Sequence, residues 1–439
     1  MKLQLIKIRD SLMDSFWFLP GVMVLLATAG ALSLVSLDHT LGALWVKNIG
    51  WVWSGGPDGA RAVLSIIAGS VMTVTSIVFS LTITTLAQTS SHFGPRVLRN
   101  FTSNRFVQFT LGTFIATFVY CLLVLRTVRS VEEAPFVPYL AVNLGMLFAL
   151  ASLAVLIFFI DHISQMIQAE NLIADVGNDF QKALPILFPE TRDKDADAPD
   201  TSMPEESHWK DARPIKIQGN GYLLRVDESQ IMNLAVKHDL QIKLERRPGD
   251  FVSTGTIFLQ ATPSSHLTPQ IEDALRNCMS LGHHRTPHQD PLYSIQQLVE
   301  IAAHALSPGI NEPFTALTCI DWIGASLRGM CARDFPSPLR QDKDGKLRIV
   351  ARTLTFPEVA GCAFDQIRLY GASNALVLTS LLDAIAAISY EIHRDTDRVT
   401  LINQALLIET DATQVPNQKD RERVSKHLQA TLKTLAVKP

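Results

Sequence analysis

Cysteine is scarce in this chain, and its few cysteines are not grouped. Five cysteines occur among 439 residues without a CxxC spacing, and four of them lie in the less apolar C-terminal part. A disulfide framework or a zinc ribbon needs several cysteines at close, regular spacing. The scattered set therefore predicts reduced thiols in a cytoplasmic setting.

A strong excess of either charge is also lacking. The chain has 39 Lys and Arg against 42 Asp and Glu, a formal net charge of −3. Nucleic-acid-binding proteins usually carry a basic excess, so no nucleic-acid partner is predicted. Hydrophobic residues make up 47% of the chain, and the mean hydropathy is +0.17. This balance predicts a membrane part joined to a soluble part.

The motifs of common enzyme classes are absent from the sequence. It contains no P-loop, HExxH, GxSxG elbow or paired-carboxylate motif, which would support phosphoryl transfer or hydrolysis. His283, His284 and His288 surround Pro287, which argues against a shared helical ligand face. We predict no catalytic residue, no metal site and no cofactor. An enzyme is the less favoured class, and its reactive groups would have to converge within residues 285–321.

Four apolar runs in the first 165 residues are long enough to span a bilayer. They cover residues 16–36, 61–91, 106–125 and 138–160, and no Asp, Glu, Lys, Arg or His lies well inside them. Proton pumps and many coupled transporters use an ionisable group within the membrane. The sequence therefore favours a passive path or no path at all.

Small and basic residues indicate how the membrane helices pack and which way they are oriented. Gly112 and Gly145 lie where close contacts between helices are expected. The basic residues of positions 1–10 and the arginines that follow the second run predict a shared cytoplasmic side. Because four spans return the chain to its starting side, both termini are predicted to be cytoplasmic.

The second run is crowded with hydroxyl side chains on two faces. At about 100° per residue, one face carries Gly69, Thr73, Ser76, Ser80, Thr84 and Gln88, interrupted by Ile77. A second row, Thr75, Thr82 and Thr89, lies roughly opposite. Hydroxyl groups in membrane helices either bond to their own backbone and allow close packing, or line a wet path. Both interpretations stay open from the sequence.

The remaining chain changes in composition along its length. A helical extension and a charged linker are predicted for residues 166–213, after a transmembrane domain of residues 1–165. Short alternating strands around one helix predict a small β-rich subdomain at 214–262. Residues 263–439 are predicted to be mainly helical, with a strand at 346–356. The expected fold class is a membrane α-helical domain with four transmembrane helices plus a cytoplasmic α+β domain.

The densest polar stretch of the soluble part lies at residues 285–327. At its centre, Ser307, Gly309, Asn311 and Glu312 form a turn directly before a helix that begins at Pro313. Free backbone amides at such a helix start can hold an anion or a carboxylate. The alternative is an ordinary tight turn between two helices.

This stretch and the segments SIVFSLTITTLAQTSSHFGPRVLRNF and FTLGTFIATFVYCLLVL resemble a family of predicted bacterial integral membrane proteins. That family is catalogued only as a domain of unknown function. The resemblance covers nearly the whole chain and implies a bacterial inner-membrane protein with a cytoplasmic C-terminal half. The family pattern has Asn-Asp-Pro where this chain has Asn311, Glu312 and Pro313, and it favours an arginine near His304.

These observations lead to a hypothesis of a homo-oligomeric channel-like protein that conducts ions passively along its second helix. The expected pore-lining residues are Thr73, Ser76, Ile77, Ser80 and Thr84. Arg96 and Arg99 are expected at the cytoplasmic mouth, where they would favour anions.

A non-conducting membrane sensor or scaffold is the alternative, with a cytoplasmic domain that binds a ligand or a protein. The expected partners are the lipid bilayer, further copies of the chain, and ions or a small cytoplasmic ligand.

Overall fold

A computed structural model describes residues 16–41, 55–93, 104–129, 136–166, 168–188 and 203–437. The chain divides into two compact units, Met1–Asn171 and Leu172–Pro439. The N-terminal basic residues, Arg96 and Arg99, and most of the predicted charged linker lie outside the described residues.

The first unit contains four long helices. They are α1 (Phe18–Leu41), α2 (Pro57–Phe93), α3 (Arg105–Thr127) and α4 (Tyr139–Met166). Among the described residues, these four are long and apolar enough to cross a membrane. They coincide with the four apolar runs of the sequence, so the prediction of four membrane helices is confirmed at the level of the fold.

Helix α2 is longer than a bilayer requires. Its 37 residues correspond to roughly 55 Å at 1.5 Å per residue, against a hydrocarbon core of about 30 Å. Pro57 stands at its first position, where a missing N–H costs no hydrogen bond. The helix therefore has to tilt or to extend beyond the hydrocarbon.

Helix α3 is the centre of the first unit. It packs against α1, α2 and α4, and 56% of its apolar window is buried, against 17% to 28% in the other three helices. A Cβ atom on Gly112 of α3 would come within 3.1 Å of the Pro20 backbone in α1. The expected close contact at Gly112 is thus present, and it lets α1 and α3 approach.

Several polar groups of the first unit form hydrogen bonds between helices. The Asp38 carboxylate of α1 accepts hydrogen bonds from the amides of Leu140 and Ala141, at 3.1 and 3.0 Å, at the start of α4. The carbonyl of Ala141 in turn accepts from the Tyr120 hydroxyl of α3 at 2.9 Å. Since free amides begin every helix, this arrangement ties α1, α3 and α4 together at one end.

The second unit combines helices with two small sheets. Its helices are α5 (Ala169–Leu187, which starts just before the boundary), α6 (Glu228–Lys237), α7 (Pro269–Arg276), α8 (Leu292–Ala305), α9 (Pro313–Cys331), α10 (Phe356–Tyr370), α11 (Ala375–Ser389), α12 (Asp395–Asp411) and α13 (Gln418–Ala436). Its strands are β1 (Arg213–Lys216), β2 (Gly221–Val226), β3 (Gln241–Leu244), β4 (Phe251–Val252), β5 (Ile257–Thr262), β6 (Met279–Gly282), β7 (Leu339–Gln341) and β8 (Leu347–Val350).

The strands form a five-stranded sheet in the order β1-β5-β3-β8-β7 and a three-stranded sheet in the order β4-β2-β6. All neighbours are antiparallel except β3 and β8, which are parallel. Strands β6, β7 and β8 come from beyond residue 262, so the β-structure is assembled from distant parts of the chain. Alternating residues of these strands, such as Ile242 and Leu244, are buried in one apolar core.

Most helices of the second unit pack on one another. Helix α11 lies against α9 and α13, and α10 lies against α8 and α12. Gly177 of α5 lies directly against the Trp322 ring of α9, where a side chain would clash. The chain after residue 268 is mainly helical, and the strand predicted at 346–356 corresponds to β8 (Leu347–Val350).

Candidate functional site

The two hydroxyl rows of α2 have opposite environments in the first unit. Thr75, Thr82 and Thr89 are 8%, 5% and 3% exposed, whereas Thr73, Ser76, Ser80 and Thr84 are exposed. The split follows from helical geometry, since the buried row faces α3 and α4 and the other row points away from them. One chain therefore presents a row of hydroxyl side chains, interrupted by Ile77, on its outer surface, and we call Thr73, Ser76, Ser80 and Thr84 the outer row.

Hydroxyl groups of the buried row bond mainly within α2. The Oγ1 atom of Thr75 donates to the Val71 carbonyl at 2.6 Å, and that of Thr82 donates to the Val78 carbonyl at 2.7 Å. The buried Oγ1 of Thr89 has no hydrogen-bond partner among the described residues. A hydroxyl that bonds to the preceding turn is inexpensive to bury, so this row serves packing.

Most of the outer row is also bonded to its own helix. Thr73 donates to the Gly69 carbonyl at 3.0 Å, and Ser76 donates to the Met72 carbonyl at 3.1 Å. Thr84 donates to the Ser80 carbonyl at 2.9 Å. Each hydroxyl has one hydrogen but two lone pairs, so its oxygen can still accept a hydrogen bond from water.

Apolar side chains border the outer row on both sides. Ile77 lies within the row and is 61% exposed. Met72, Phe79 and Ile83 lie along one edge and Leu81 along the other, and all of them are exposed. A single chain in lipid would place this whole surface against acyl chains, so access of water to the row requires other helices to surround it.

A polar contact that the sequence did not reveal lies at the end of α4. Asn104 caps α3 by accepting from the amides of Phe106 and Val107, at 2.9 and 3.3 Å. Its Nδ2 then faces the Nε2 of His162 at 3.2 Å and the sulfur of Met166 at 3.5 Å. Because Asn104 donates here, His162 Nε2 accepts and is unprotonated.

This contact was not predicted, because α4 was expected to leave the membrane at residue 160. The helix continues past residue 160 to Met166, as expected, and the Asn104 cap of α3 lies beside its last turns. An ionisable residue next to the predicted end of a span was the available signal.

The turn from Ser307 to Glu312 connects α8 to α9. The Glu312 amide donates to the Ala305 carbonyl at 2.8 Å, and the Asn311 amide donates to the Ser307 carbonyl at 2.9 Å. Asn311 has φ of +52°, a left-handed conformation that Asn tolerates better than most residues. Gly309 faces open space. The four predicted residues thus share one compact turn.

This turn has the form of a tight connection between helices. Pro313 stands at the first position of α9, as expected, and the Glu312 side chain makes no cap hydrogen bond. Thr315 donates to the Glu312 carboxylate at 3.4 Å. Phe314 is 74% exposed beside it, so the turn presents an apolar ring as well as a carboxylate.

A largely buried ionic contact of the second unit lies within the stretch 285–327. Asp290 is 4% exposed and receives Nε and Nη2 of Arg285 at 2.7 and 2.6 Å. Burial raises the pKa of Asp290, while the Arg285 guanidinium and the Leu292 amide oppose the rise. Gly249, with φ of +97°, lies so close that a Cβ there would meet the Asp290 carboxylate at 2.6 Å.

This ion pair joins the β-structure to the helices and is a structural element. Gln289 bonds to the amide and the carbonyl of Val226 in β2, at 2.9 and 3.3 Å. Arg285 also donates to Gln296 of α8. The neighbouring histidines considered as metal ligands, His283, His284 and His288, are exposed. Arg285 and Asp290 were not predicted to form a contact.

Four of the five cysteines lie in the second unit. All five cysteines are free, and burial raises the pKa of Cys278 and of Cys331 to about 12. A buried thiol with a raised pKa is a poor nucleophile. In the described part of the chain, no three His, Cys, Asp or Glu side chains are grouped closely enough to hold a metal ion.

The chain is similar to a family of proteins and to individual relatives in mycobacteria. A family described as "Predicted membrane protein (DUF2254)" matches residues 13–387. The uncharacterised proteins Rv1290c of Mycobacterium tuberculosis and Mb1321c of Mycobacterium bovis are each 31% identical to the chain over 433 residues. Each match covers 95% of this chain and 80% of the relative. No solved structure matches the chain significantly.

Proposed function

The chain belongs to the DUF2254 family of predicted membrane proteins, and we propose that it is a homo-oligomeric channel-like protein of the bacterial inner membrane. In this proposal, ions pass along an axis lined by the outer row of α2. The observation that carries the proposal is the exposure of Thr73, Ser76, Ser80 and Thr84 on a single chain, opposite a buried hydroxyl row.

An oligomer gives this surface an environment that lipid does not provide. Four helices form a thin bundle, and several copies that each contribute α2 could enclose a central path. The hydroxyl oxygens of the outer row would then accept hydrogen bonds from water in that path. Ile77 would form an apolar ring that restricts it.

The same proposal assigns the sides of the membrane. The second unit and both termini lie in the cytoplasm, and Arg96 and Arg99 lie at the cytoplasmic mouth. The absence of charged groups well inside the apolar runs supports passive conduction over coupled transport. In this proposal, a cytoplasmic ligand that regulates conduction would bind to the second unit.

One observation favours a non-conducting sensor or scaffold as the second candidate. Three hydroxyls of the outer row already donate to carbonyls of α2, so the row can pack against another helix without water. In that case the turn from Ser307 to Glu312, with exposed Phe314, is the surface where a ligand or protein would bind.

Ion flux through the full chain in liposomes tests the proposal. We expect passive flux, an increase with Ile77→Ser, because a polar side chain removes the apolar ring, and a change with Ser80→Ala. Ile83→Ser is the matched control, since Ile83 is also exposed but lies at the edge of the outer row. Flux that is absent under varied voltage, pH and tension, or equally affected by Ile83→Ser, would favour the scaffold.

A further inference from the structure

The last helix carries a row of cations that is separate from every site described above. Within α13 (Gln418–Ala436), Lys419, Arg423, Lys426 and Lys433 fall within an arc of about 80° and are all exposed. We call these four residues the basic stripe. It extends for roughly 21 Å along the helix, at 1.5 Å per residue.

The opposite side of α13 packs into the core of the second unit. Its buried residues are Val424, Leu428, Thr431 and Leu435, and the helix packs against α11 and α12. The Thr431 hydroxyl donates to the Leu382 carbonyl of α11 at 3.3 Å. The helix is therefore held in place, and the basic stripe points outward from a rigid support.

The cations of α13 outnumber its acids. Within residues 203–437, none of the four side chains of the basic stripe makes an ion pair or a hydrogen bond to a side chain. Glu422, the acid one turn before Lys426, accepts from Gln418 at 3.0 Å instead. The helix has five Lys and Arg against two acids, whereas the whole chain has a net charge of −3. Positive charge is thus concentrated on this surface.

We infer that the basic stripe binds the anionic phospholipid headgroups of the membrane that holds the first unit. Cations clustered on an amphipathic helix are attracted to the negative surface of a bilayer. The chain is anchored by membrane helices, so α13 meets that surface at a high effective concentration. Because the apolar side of α13 is occupied, the helix would lie on the headgroups without insertion.

The expected strength follows from the number of charges. Each Lys or Arg near an anionic surface contributes about five-fold in binding, so four contribute up to roughly six hundred-fold. High salt should weaken the contact strongly, since these charges are exposed and screening acts over about 8 Å at physiological ionic strength. Neutral bilayers should not support it.

The test uses the full chain in vesicles, with a fluorophore on Ala430→Cys. Ala430 is exposed between Lys426 and Lys433, and Cys362→Ser removes the one native thiol that is not buried. Quenching by headgroup-labelled lipid is compared in phosphatidylcholine vesicles and in vesicles that also contain phosphatidylglycerol. We expect quenching with the anionic lipid, its loss at high salt, and its loss when the four cations of the basic stripe are changed to Gln.

A charge-matched control separates the basic stripe from net charge. Changing four exposed lysines elsewhere in the second unit to Gln should leave the quenching intact; these are Lys210, Lys216, Lys237 and Lys343. Exchanging Lys for Arg and Arg for Lys within the basic stripe should also preserve it. Helicity measured by circular dichroism verifies that each variant is folded.

Two outcomes would overturn the inference. The first is quenching that is equal in neutral and anionic vesicles, or unchanged by the Gln substitutions. The second is binding of a fluorescent oligonucleotide that depends on the basic stripe while anionic lipid has no effect, which would assign the surface to nucleic acid. Ion flux is not part of either readout, so the result does not depend on the proposed channel.

Discussion

At the scale of single residues, Arg285 and Asp290 form an ion pair whose members are 15% and 4% exposed. Two charges that have lost most of their water depend on each other, and removal of one leaves the other buried without compensation. The pair lies between β2 and α8, so its loss should affect both elements.

We expect Arg285→Ala to destabilise the second unit by about 3 kcal/mol, because Asp290 stays buried without its partner. The change should appear as a lower unfolding temperature and as faster hydrogen exchange in the first turn of α8. Arg285→Met combined with Asp290→Asn removes both charges and should lose less stability than Arg285→Ala. A larger loss in the double variant would contradict the assignment.

Glu358 is expected to make a pH-dependent contribution to the stability of the second unit. Burial disfavours its ionised form, but the Arg247 guanidinium at 2.9 Å and the Thr355 amide at 3.0 Å outweigh burial and lower its pKa. A carboxyl with a lowered folded-state pKa stabilises the fold above its unfolded pKa, near 4.5. That contribution is lost as the pH falls through the lower, folded-state pKa.

We therefore expect Glu358→Gln to speed hydrogen exchange in the first turn of α10 at neutral pH. The difference from the unmodified protein should shrink as the pH falls through the folded-state pKa of Glu358, where both carry a neutral side chain. Glu206→Gln changes an exposed acid and serves as the control. A difference that is independent of pH would show that Glu358 acts by packing alone.

At the scale of elements, the start of α3 depends on one side chain that makes two kinds of contact. Asn104 accepts from two backbone amides and donates to His162 of α4. Removal of an N-cap side chain typically costs about 1 kcal/mol. The same residue also joins two neighbouring helices at one end of the first unit.

We expect Asn104→Ala to increase hydrogen exchange at the Phe106 and Val107 amides and to lower the unfolding temperature in detergent. Asn104→Asp keeps the acceptor for both amides but loses the donor to His162, so its exchange at these amides should be close to that of the unmodified protein. Equal exchange in all three proteins would show that the cap does not limit opening of this turn.

Some helices and strands could be predicted from local sequence patterns alone. Apolar runs without charges predicted the four long helices, since length and hydropathy are local properties. Strands β1, β2, β3 and β5 were recognisable as short alternating runs bounded by Gly and Pro, whereas the two-residue strand β4 was not predicted. The pairing of β3 with β8 was not predicted, because it joins Ile242 to Ile349 across several intervening strands and helices, and no local pattern indicates such a pairing.

At the scale of the whole molecule, the outer row of α2 is the surface where self-association is expected. We predict that Ser80→Cys, in a Cys362→Ser background, forms disulfide-linked dimers in membranes under mild oxidation. Thr82→Cys should not, because Thr82 is buried within its own chain. Crosslinks at Thr82, or none at Ser80, would contradict an oligomer in which α2 lies at the interface.

The sequence by itself determined the apolar helices, the family and the presence of two hydroxyl rows on α2. These follow from composition and from a fixed angle per residue. Only the tertiary structure decided which row is buried, since burial depends on the helices that surround α2. It also decided that α4 brings His162 to Asn104, and that Asp290 meets Arg285 in a buried pair. Such contacts join residues from different elements, so their energies depend on packing that periodicity does not encode.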